Sequence, residues 1–500
     1  MSTTAASVSP STLGTSTTPS CPPSVNSSNE NSSPIPSKLK DIDAGTDGAG
    51  TDRNRAHVVV HERKMGPVAH LLIFTTVQLL VYFDRGILAQ MLDKVGEQFD
   101  VTSYTQKGVL GGAFMLGYIV AAPLFALLAK RSQEWTVLSI VLGLVVWILA
   151  SIFTCFLPQN YYLLVTVRAL SGVGDAAFCA LAPGIVDDSS PSEKKGFYLG
   201  LFFMSIYIGS AAGYLIAGFF KSWDTGKYLF LAEAVLMIPP TLFTFFKRFS
   251  FVVPQPQATG KAWHEIRQLL HIRTFAWMVL GYGSFMFVIG GFAFWGPVFL
   301  KDHWEMSDLS TGVGFGLATV LTGLFGTLIG GRLLDTKYVY KGTGEKKEDS
   351  SNTSVDKSLT GDVTRAWISA RMAFYLVLIS AFICSCIAWL PTGLWFFAVF
   401  SPAQFLLFGT TVPTNVSIMS AVPEILRGQA MALSISISHI LGDCPAPLII
   451  GVMRDHLPCN AVMAICLSLL FVNAFCWYKA RQSAFTEFKR MKSDSSHGVL

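Results

Sequence analysis

The sequence contains twelve apolar runs, each close to the length of about 20 residues that a helix needs to cross a bilayer. Only 14% of the 500 residues are charged, whereas soluble domains carry about 25%. A segment in lipid must satisfy its own backbone hydrogen bonds, so runs of this length form helices. The sequence therefore predicts an all-α integral membrane protein with spans near residues 68–91, 107–129, 135–157, 160–187, 195–220, 227–246, 274–300, 309–334, 366–390, 393–420, 428–453 and 460–480.

The spans fall into two sets of six. We expect an N-terminal six-helix bundle over residues 66–246 and a C-terminal bundle over residues 274–480. The polar stretch 247–273 joins them, and its part Lys261–Arg273 is typical of a short amphipathic helix on the membrane surface.

Three further segments are polar. Residues 1–65 are rich in Ser, Thr, Pro and Gly and offer almost no large apolar side chains, which predicts a disordered tail. Residues 338–364 are predicted to form a flexible insertion, and residues 481–500 a second tail.

Lysine and arginine collect on one side of the predicted spans. By the positive-inside rule this side is cytosolic. Both tails, the linker and the insertion lie on it, so we predict that both termini are cytosolic. The basic residues on this side are Arg63, Lys64, Lys130, Arg131, Lys194, Lys195, Lys247, Arg248, the lysines from Lys341 to Lys357, Arg427, Lys479, Arg481, Lys489 and Arg490.

The two bundles carry an internal repeat. Pro191 to Gly196 and Pro423 to Gly428 share the pattern Pro-x-x-x-basic-Gly, 232 residues apart. The helices that follow also have glycines at matching places. A shared offset favours two pseudosymmetric halves, an arrangement that in transporters places the solute site between the halves near the membrane midplane. Close packing of small residues alone would not require that offset.

Ionisable residues interrupt several spans. Each costs at least about 2.5–3.5 kcal/mol on insertion scales, so each needs a partner or a purpose. Asp84 and Arg85 are adjacent in the first span, where they could pair or lie on neighbouring faces. Arg168 and Asp175 lie seven residues apart in the fourth span and therefore share a helix face. We interpret Asp84, Arg85 and Asp175 as a proton relay, with structural ion pairing as the alternative.

Two more sites are less decisive. His439 and Asp443 have the i, i+4 spacing that lets side chains meet on a helix, and functional and structural roles fit them equally. Glu233, in the sixth span, has no partner nearby in the sequence, and its role is left open.

Several motifs occur in order on the expected helices. Tyr82-Phe-Asp84-Arg85 lies in the first span, and Arg168, Gly172, Gly174 and Asp175 in the fourth. The seventh span contains Gly290, Trp295 and Pro297, and the eleventh contains His439-Ile-Leu-Gly442-Asp443 followed by Pro447. Together these motifs resemble the spinster branch of the major facilitator superfamily, over nearly the whole chain from Tyr82 to Asp455. Asp175 stands where that family usually has Glu.

The resemblance implies a major facilitator fold of twelve helices and an alternating-access transporter. It further implies proton-coupled movement of a lysophospholipid or sphingoid lipid. Candidate substrate-binding residues on this reading are Arg85, Arg168, Phe287, Trp295, His439 and Asp443. Arginines beside apolar walls suit a phosphate head on a greasy tail, since a guanidinium binds phosphate through two hydrogen bonds.

The gating motif departs from the superfamily pattern. After the second span the usual acid is replaced by Lys130, followed by Arg131, while the second copy keeps its acid at Asp335. We assign gating roles to these three residues and to Arg427.

Two rival classes stay open. A major facilitator carrier of a sugar or organic anion would have the same fold, but would need amide and tyrosine donors that the spans supply sparingly. A non-transporting sensor would normally carry a folded soluble domain. An enzyme is not predicted, because no nucleophile with a base and no metal-ligand spacing is found, and no cofactor is expected. Modest net charge without a basic face argues against nucleic acid. We expect a monomer in a lysosomal, vacuolar, endosomal or plasma membrane.

Overall fold

The computed structural model describes residues 66–129, 131–191, 194–247, 262–342 and 354–497, and within these it contains helices and no strands. The predicted tail 1–65 lies outside the described residues. The first half comprises α1 (Pro67–Gln90), α2 (Leu92–Gln98), α3 (Tyr104–Ala129), α4 (Gln133–Phe156), α5 (Tyr161–Ser189), α6 (Lys195–Ala217), α7 (Trp223–Gly226) and α8 (Tyr228–Phe246). The second half follows linker helix α9 (Ala262–His271) and comprises α10 (Arg273–Trp304), α11 (Asp308–Gly342), α12 (Ser354–Cys384), α13 (Gly393–Gly409), α14 (Thr411–Ser420), α15 (Arg427–Leu441), α16 (Ala446–His456) and α17 (Cys459–His497).

Twelve helical segments of the described chain are long and apolar enough to cross a membrane. They coincide with the twelve predicted runs to within a few residues at most boundaries, which confirms the all-α, multi-pass prediction. Consecutive spans alternate in direction. We call the end of the bundle that holds α2 the α2 end, and the opposite end, which holds α9, the linker end.

Some helices differ from the sequence prediction. The run 428–453 is not one helix, because α15 ends at Leu441 and α16 begins at Ala446 after a turn. Gly442 and two nearby prolines, Pro445 and Pro447, account for this break. The predicted tail 481–500 instead continues α17 to His497, and the predicted insertion is helical up to Gly342 and again from Ser354. Residues 343–353 lie outside the described part.

Equivalent helices pack in equivalent ways in the two halves. α1 packs on α6 as α10 packs on α15, and α3 packs on α5 as α11 packs on α13. Two crossings then join the halves, α3 with α16 and α6 with α11. Exchanging the halves converts one crossing into the other, which is the relation that an internal repeat produces.

Glycines bring α3 and α16 into backbone contact near the α2 end. A methyl group added at Gly108 would clash with the carbonyl oxygen of Pro447, and one at Gly451 with that of Tyr104. Any other residue here would therefore push the helices apart, as is common where small residues let membrane helices approach closely.

The second crossing repeats this contact. A methyl group at Gly312 would clash with the carbonyl oxygen of Tyr214, and one at Gly218 with that of Asp308. Gly312 lies 204 positions after Gly108, and Gly451 lies 233 positions after Gly218. The α2 end is thus closed by two pseudosymmetric glycine crossings.

Candidate functional site

Asp84 and Arg168 form a bidentate ion pair between α1 and α5. Arg168 Nη1 and Nη2 each donate to one carboxylate oxygen of Asp84, both at 2.8 Å. Asp84 is 0% exposed and Arg168 is 1% exposed. Parallel N–H···O bonds of this kind are the strongest ion-pair geometry available to arginine. Because both charges are fully buried, removing either partner would leave the other charge without compensation.

Arg85 and Asp175 form a second pair between the same helices. Arg85 Nη2 donates to Asp175 Oδ2 at 2.7 Å. The guanidinium of Arg85 lies over the rings of Tyr82 and Phe114, at 4.6 and 4.7 Å from their centroids. Cys179 Sγ donates to the other oxygen of Asp175 at 3.1 Å. The aromatic faces and the carboxylate together hold the guanidinium in one orientation.

The two pairs connect neighbouring residues of α1 to residues two turns apart on α5. Asp84 and Arg85 do not pair with each other, and Arg168 and Asp175 do not either. Each instead binds the opposite charge on the other helix. The shared face of Arg168 and Asp175 that the sequence predicts is what makes this crossed arrangement possible.

His439 and Asp443 meet in the second half, as their spacing predicts. His439 Nδ1 lies 2.8 Å from Asp443 Oδ1. Asp443 belongs to the break between α15 and α16, the kind of interrupted helix on which transporters build binding sites. Across the halves, the ring of Tyr118 on α3 contacts the ring of His439 edge-on at 5.4 Å.

Three of these side chains reach accessible space deep in the bundle. The exposed side-chain fraction is 23% for Arg85, 20% for His439 and 15% for Asp443. Arg85 and Asp175 lie close enough to His439 to act on it electrostatically. Arg85 in the first half therefore faces His439 and Asp443 in the second half. Its ion-pair partner Asp175 is buried behind it.

Two predicted substrate-binding residues lie elsewhere than expected. Trp295 is fully buried, and its Nε1 donates to the carbonyl oxygen of Pro447 at 3.0 Å. Its side chain thus fastens α10 to α16 and does not face the accessible space. Phe287 is also buried and belongs to the apolar core of the second half.

The three predicted gating residues that the structure describes, Arg131, Asp335 and Arg427, lie toward the linker end. Lys130 lies outside the described residues. Arg131 is exposed and its guanidinium lies 5.6 Å from the ring centroid of Trp135. Asp335 is exposed, and Arg427 pairs with Asp362 within the second half.

An ion-pair network joins the halves at the α2 end. Lys301 Nζ on α10 lies 2.6 Å from Asp93 Oδ2 on α2 and 3.5 Å from Asp308 Oδ1. Lys94 Nζ lies 3.1 Å from Asp308 Oδ2. We call these four residues the latch. Lys107 also binds Asp93, at 3.0 Å.

A helix cap reinforces this closure. Asp455, at the end of α16, accepts hydrogen bonds from the backbone N–H groups of Tyr104 and Thr105 at 2.7 and 2.9 Å. A carboxylate at a helix N-terminus is favoured by the unpaired N–H groups there. Here the capping residue comes from the other half of the chain, so the cap also resists separation of the halves.

Removing the latch lysine is expected to open the α2 end. In Lys301→Met, Asp93 and Asp308 lose their shared cation, so the two halves should separate more readily at this end. The distance between spin labels at Thr102 and Leu309, on a background without other reactive cysteines, should become longer. Glu97→Gln, on the exposed face of α2, is the matched control. An unchanged distance distribution in Lys301→Met would show that the latch does not hold this end closed.

The same labels test the pH range of the latch. Burial raises the pKa of Asp93, but the ammonium groups of Lys301 and Lys107 together lower it by a larger amount. The pKa of Asp93 therefore lies below its ordinary value of 3.8. A lowered pKa means that the stabilisation is present above the ordinary pKa and is lost only as the pH falls through the folded value. The label distance should therefore stay constant between neutral pH and about pH 5.

Comparisons with known proteins agree with this architecture. A sequence model of the Major Facilitator Superfamily matches residues 74–447. The chain belongs to this superfamily. Among curated members, a probable sphingolipid transporter, spinster homolog 3 of Arabidopsis thaliana, is 28% identical over 84% of this chain and 86% of its own. A sphingosine-1-phosphate transporter of Xenopus tropicalis is 27% identical over 78% and 74%. These relatives confirm the predicted spinster branch, and they are named transporters, not enzymes.

Solved structures agree on the major facilitator fold. A bacterial homolog of the human lysosomal transporter Spinster, in an inward-facing and unoccupied conformation, matches with a TM-score of 0.65 at 16% identity, over 84% of this chain and 98% of its own. The xylose transporter XylE from E. coli matches with a TM-score of 0.56 at 15% identity, over 83% and 97%.

Sequence reasoning missed two parts of this transporter. The latch was not predicted, because the sequence analysis uses the lysines beside the spans only to orient the chain in the membrane. The signal was available, since Asp93 and Asp308 flank the same spans. Glu233 was left undecided, and the structure places it beside Asp84 and Arg168.

Proposed function

We propose that this major facilitator protein is an alternating-access, proton-coupled transporter of an amphipathic lipid with an anionic head, such as a sphingoid phosphate or a lysophospholipid. The relatives supply the substrate class, because their names refer to sphingolipids and sphingosine 1-phosphate. The residues around Arg85 supply the chemistry.

The observation that carries the proposal is the setting of Arg85. Its guanidinium is the accessible cation of the crossed pairs, and it is held between aromatic rings and Asp175. Its side chain is 23% exposed although the partner carboxylate of Asp175 is fully buried. A phosphate entering the space between the halves would meet the exposed part of the Arg85 guanidinium and, on a protonated His439, a second cation opposite.

The surroundings of Arg85 suit an amphiphile. The rings of Tyr82, Phe114 and Tyr118 lie beside the charges, and the half-buried ring of Tyr82 presents apolar surface. An alkyl chain packed on such surface gains about 0.8 kcal/mol for each CH₂ removed from water. A sugar would gain little there, which disfavours the polar-metabolite alternative even though a xylose transporter has the same fold.

We assign the linker end to the cytosol, which makes both termini cytosolic. The basic residues beside the spans support this orientation. The latch and the glycine crossings join the halves at the α2 end, which supports access to Arg85 from the linker end in this conformation. Asp84, Arg85 and Asp175 carry the proton relay, and Lys130, Arg131, Asp335 and Arg427 are the gating residues at that end.

Transport by purified protein in liposomes tests the function. Fluorescent sphingosine 1-phosphate, lysophosphatidylcholine and sphingosine, with radiolabelled xylose as the polar arm, are supplied with and without a pH gradient. We expect flux of the phosphate-bearing lipids that depends on the gradient, and no xylose flux. Xylose flux, or no lipid flux under any gradient, would contradict the proposal.

Arg85→Ala tests the binding role of the guanidinium in the same assay. Loss of one charge-assisted contact should weaken apparent affinity for the phosphate-bearing lipids about 10- to 100-fold. Sphingosine, which has no phosphate, should lose less. Arg490→Ala, in the exposed part of α17, is the control. Equal losses for phosphorylated and unphosphorylated lipids would exclude a phosphate site at Arg85.

A further inference from the structure

We propose that Glu233 is a proton-binding residue, and that the cluster of Asp84, Arg168 and Glu233 holds a single proton that its two carboxylates share. This deepens the proton relay of the proposed function, on which it rests. The relay then includes a second acid on another helix, Glu233, which exchanges Arg168 with Asp84.

Glu233 is a buried acid whose lost contacts with water are not replaced by hydrogen bonds from the described residues. It lies on α8 and is 0% exposed, and neither carboxylate oxygen makes a hydrogen bond within the described part of the chain. Asp84 and Ser151 face it near hydrogen-bonding distance, but without the geometry of a formed hydrogen bond. An ionised carboxylate in such a place would carry the full cost of lost hydration.

The charges around Glu233 do not balance unless a proton is present. Asp84 reaches it from α1 and Arg168 from α5, and α4 contributes the neutral hydroxyl of Ser151. Asp84 already accepts both outer guanidinium nitrogens of Arg168. Two buried carboxylates beside one cation cannot both ionise at ordinary cost, so one of them binds a proton.

Among the described residues, no neighbouring charge replaces that proton. Arg85 is neutralised by Asp175. On α7, which also packs on α8, Asp224 pairs with Lys227 at 3.1 Å. In the conformation seen here, the intact bidentate pair of Asp84 and Arg168 places the proton on Glu233.

Transfer of this proton would change which helices are linked. When the O–H bond of Glu233 breaks and one forms on Asp84, the carboxyl group of Asp84 loses its charge and Glu233 becomes the anion. Arg168 then has its counter-charge on α8 and no longer on α1. Because α1 packs on both α6 and α10, loss of one of the two ion pairs that join α1 to α5 gives protonation a route to movement of the two halves.

A double-mutant cycle tests the shared proton without any transport measurement. In Asp84→Asn, Glu233 ionises and neutralises Arg168, and in Glu233→Gln, Asp84 does so. Each single variant should therefore shift the melting temperature of the purified protein only slightly. The double variant leaves Arg168 buried without an anion, and its loss should exceed the sum of the two single shifts. Additive shifts would overturn the proposal.

Two further measurements use the same variants. Infrared spectra of the wild type at neutral pH should contain the carbonyl band of a buried, protonated carboxylic acid, and Glu233→Gln should lack it. Glu97→Gln is the control and should keep the band. If Glu233→Gln keeps the band, the proton lies elsewhere.

In liposomes, Glu233→Gln should lose gradient-driven accumulation of fluorescent sphingosine 1-phosphate but retain exchange between equal pools. Full gradient-driven flux in Glu233→Gln would show that Glu233 does not couple the proton gradient to transport. If instead the wild type ignores the gradient, the proposed proton coupling fails, while the melting cycle still decides whether the proton is shared.

Discussion

Asp84→Asn is expected to abolish the pH dependence of lipid transport while lipid exchange without a gradient continues. The amide cannot ionise. Arg168 therefore loses the carboxylate that, in the proposed relay, alternates between binding Arg168 and binding a proton. Accumulation of fluorescent sphingosine 1-phosphate against its gradient should fall to the level of protein-free liposomes, and counterflow should persist. Full pH-driven accumulation in Asp84→Asn would remove Asp84 from the relay.

The matched control for Asp84→Asn is Asp188→Asn, near the end of α5 and exposed. It removes a carboxylate of the same type from the helix that carries Arg168 and Asp175, but away from the buried pairs. Its transport should match the wild type in both assays. A comparable loss of pH-driven accumulation there would point to a general effect of charge on this helix.

Arg168→Met is expected to give the largest loss of stability of any single change in the site. It leaves Asp84 and Glu233 buried without a cation, and removing one partner of a buried ion pair typically costs about 3–5 kcal/mol. Thermal unfolding of the purified protein, followed by tryptophan fluorescence, measures the effect. Asp84→Asn combined with Arg168→Met should recover much of that stability, because the remaining acid can stay protonated.

Stability and transport should separate in that double variant. It has no ion pair to exchange, so its pH-driven transport should remain absent although its fold is restored. A single Arg168→Met variant as stable as the wild type would show that the pair with Asp84 contributes little. Restored transport in the double variant would show that these charges are structural.

The twelve spans and their repeat were predictable because both depend on local, periodic properties. Hydrophobic length fixes a span, and the glycines at matching offsets indicate the crossings that the structure contains. The i, i+4 contact of His439 with Asp443 was predictable for the same reason. The break at Gly442 was not recognised, although Gly442 and the following prolines are its signal.

The partners of the charged residues were beyond sequence reasoning. Asp84 is adjacent to Arg85 in the chain, yet it binds Arg168 on another helix. Which of several rotated helices brings its charge to Asp84 depends on packing, and packing has no local signal. For the same reason Glu233 could not be assigned from the sequence. Trp295 matches a family motif, yet its indole hydrogen-bonds to the main chain of α16. A motif gives the place of a residue in the sequence but not the groups that surround its side chain in the fold.

The two glycine crossings have a consequence for ion leakage. Where main chains touch directly, rotation of a side chain cannot open a pathway. Only displacement of entire helices can admit a solute or a continuous chain of water molecules. Since the crossings are symmetry mates, one rocking motion separates both together. A barrier built in this manner should remain tight to protons during thermal fluctuations, which a carrier powered by a proton gradient requires to avoid dissipating it.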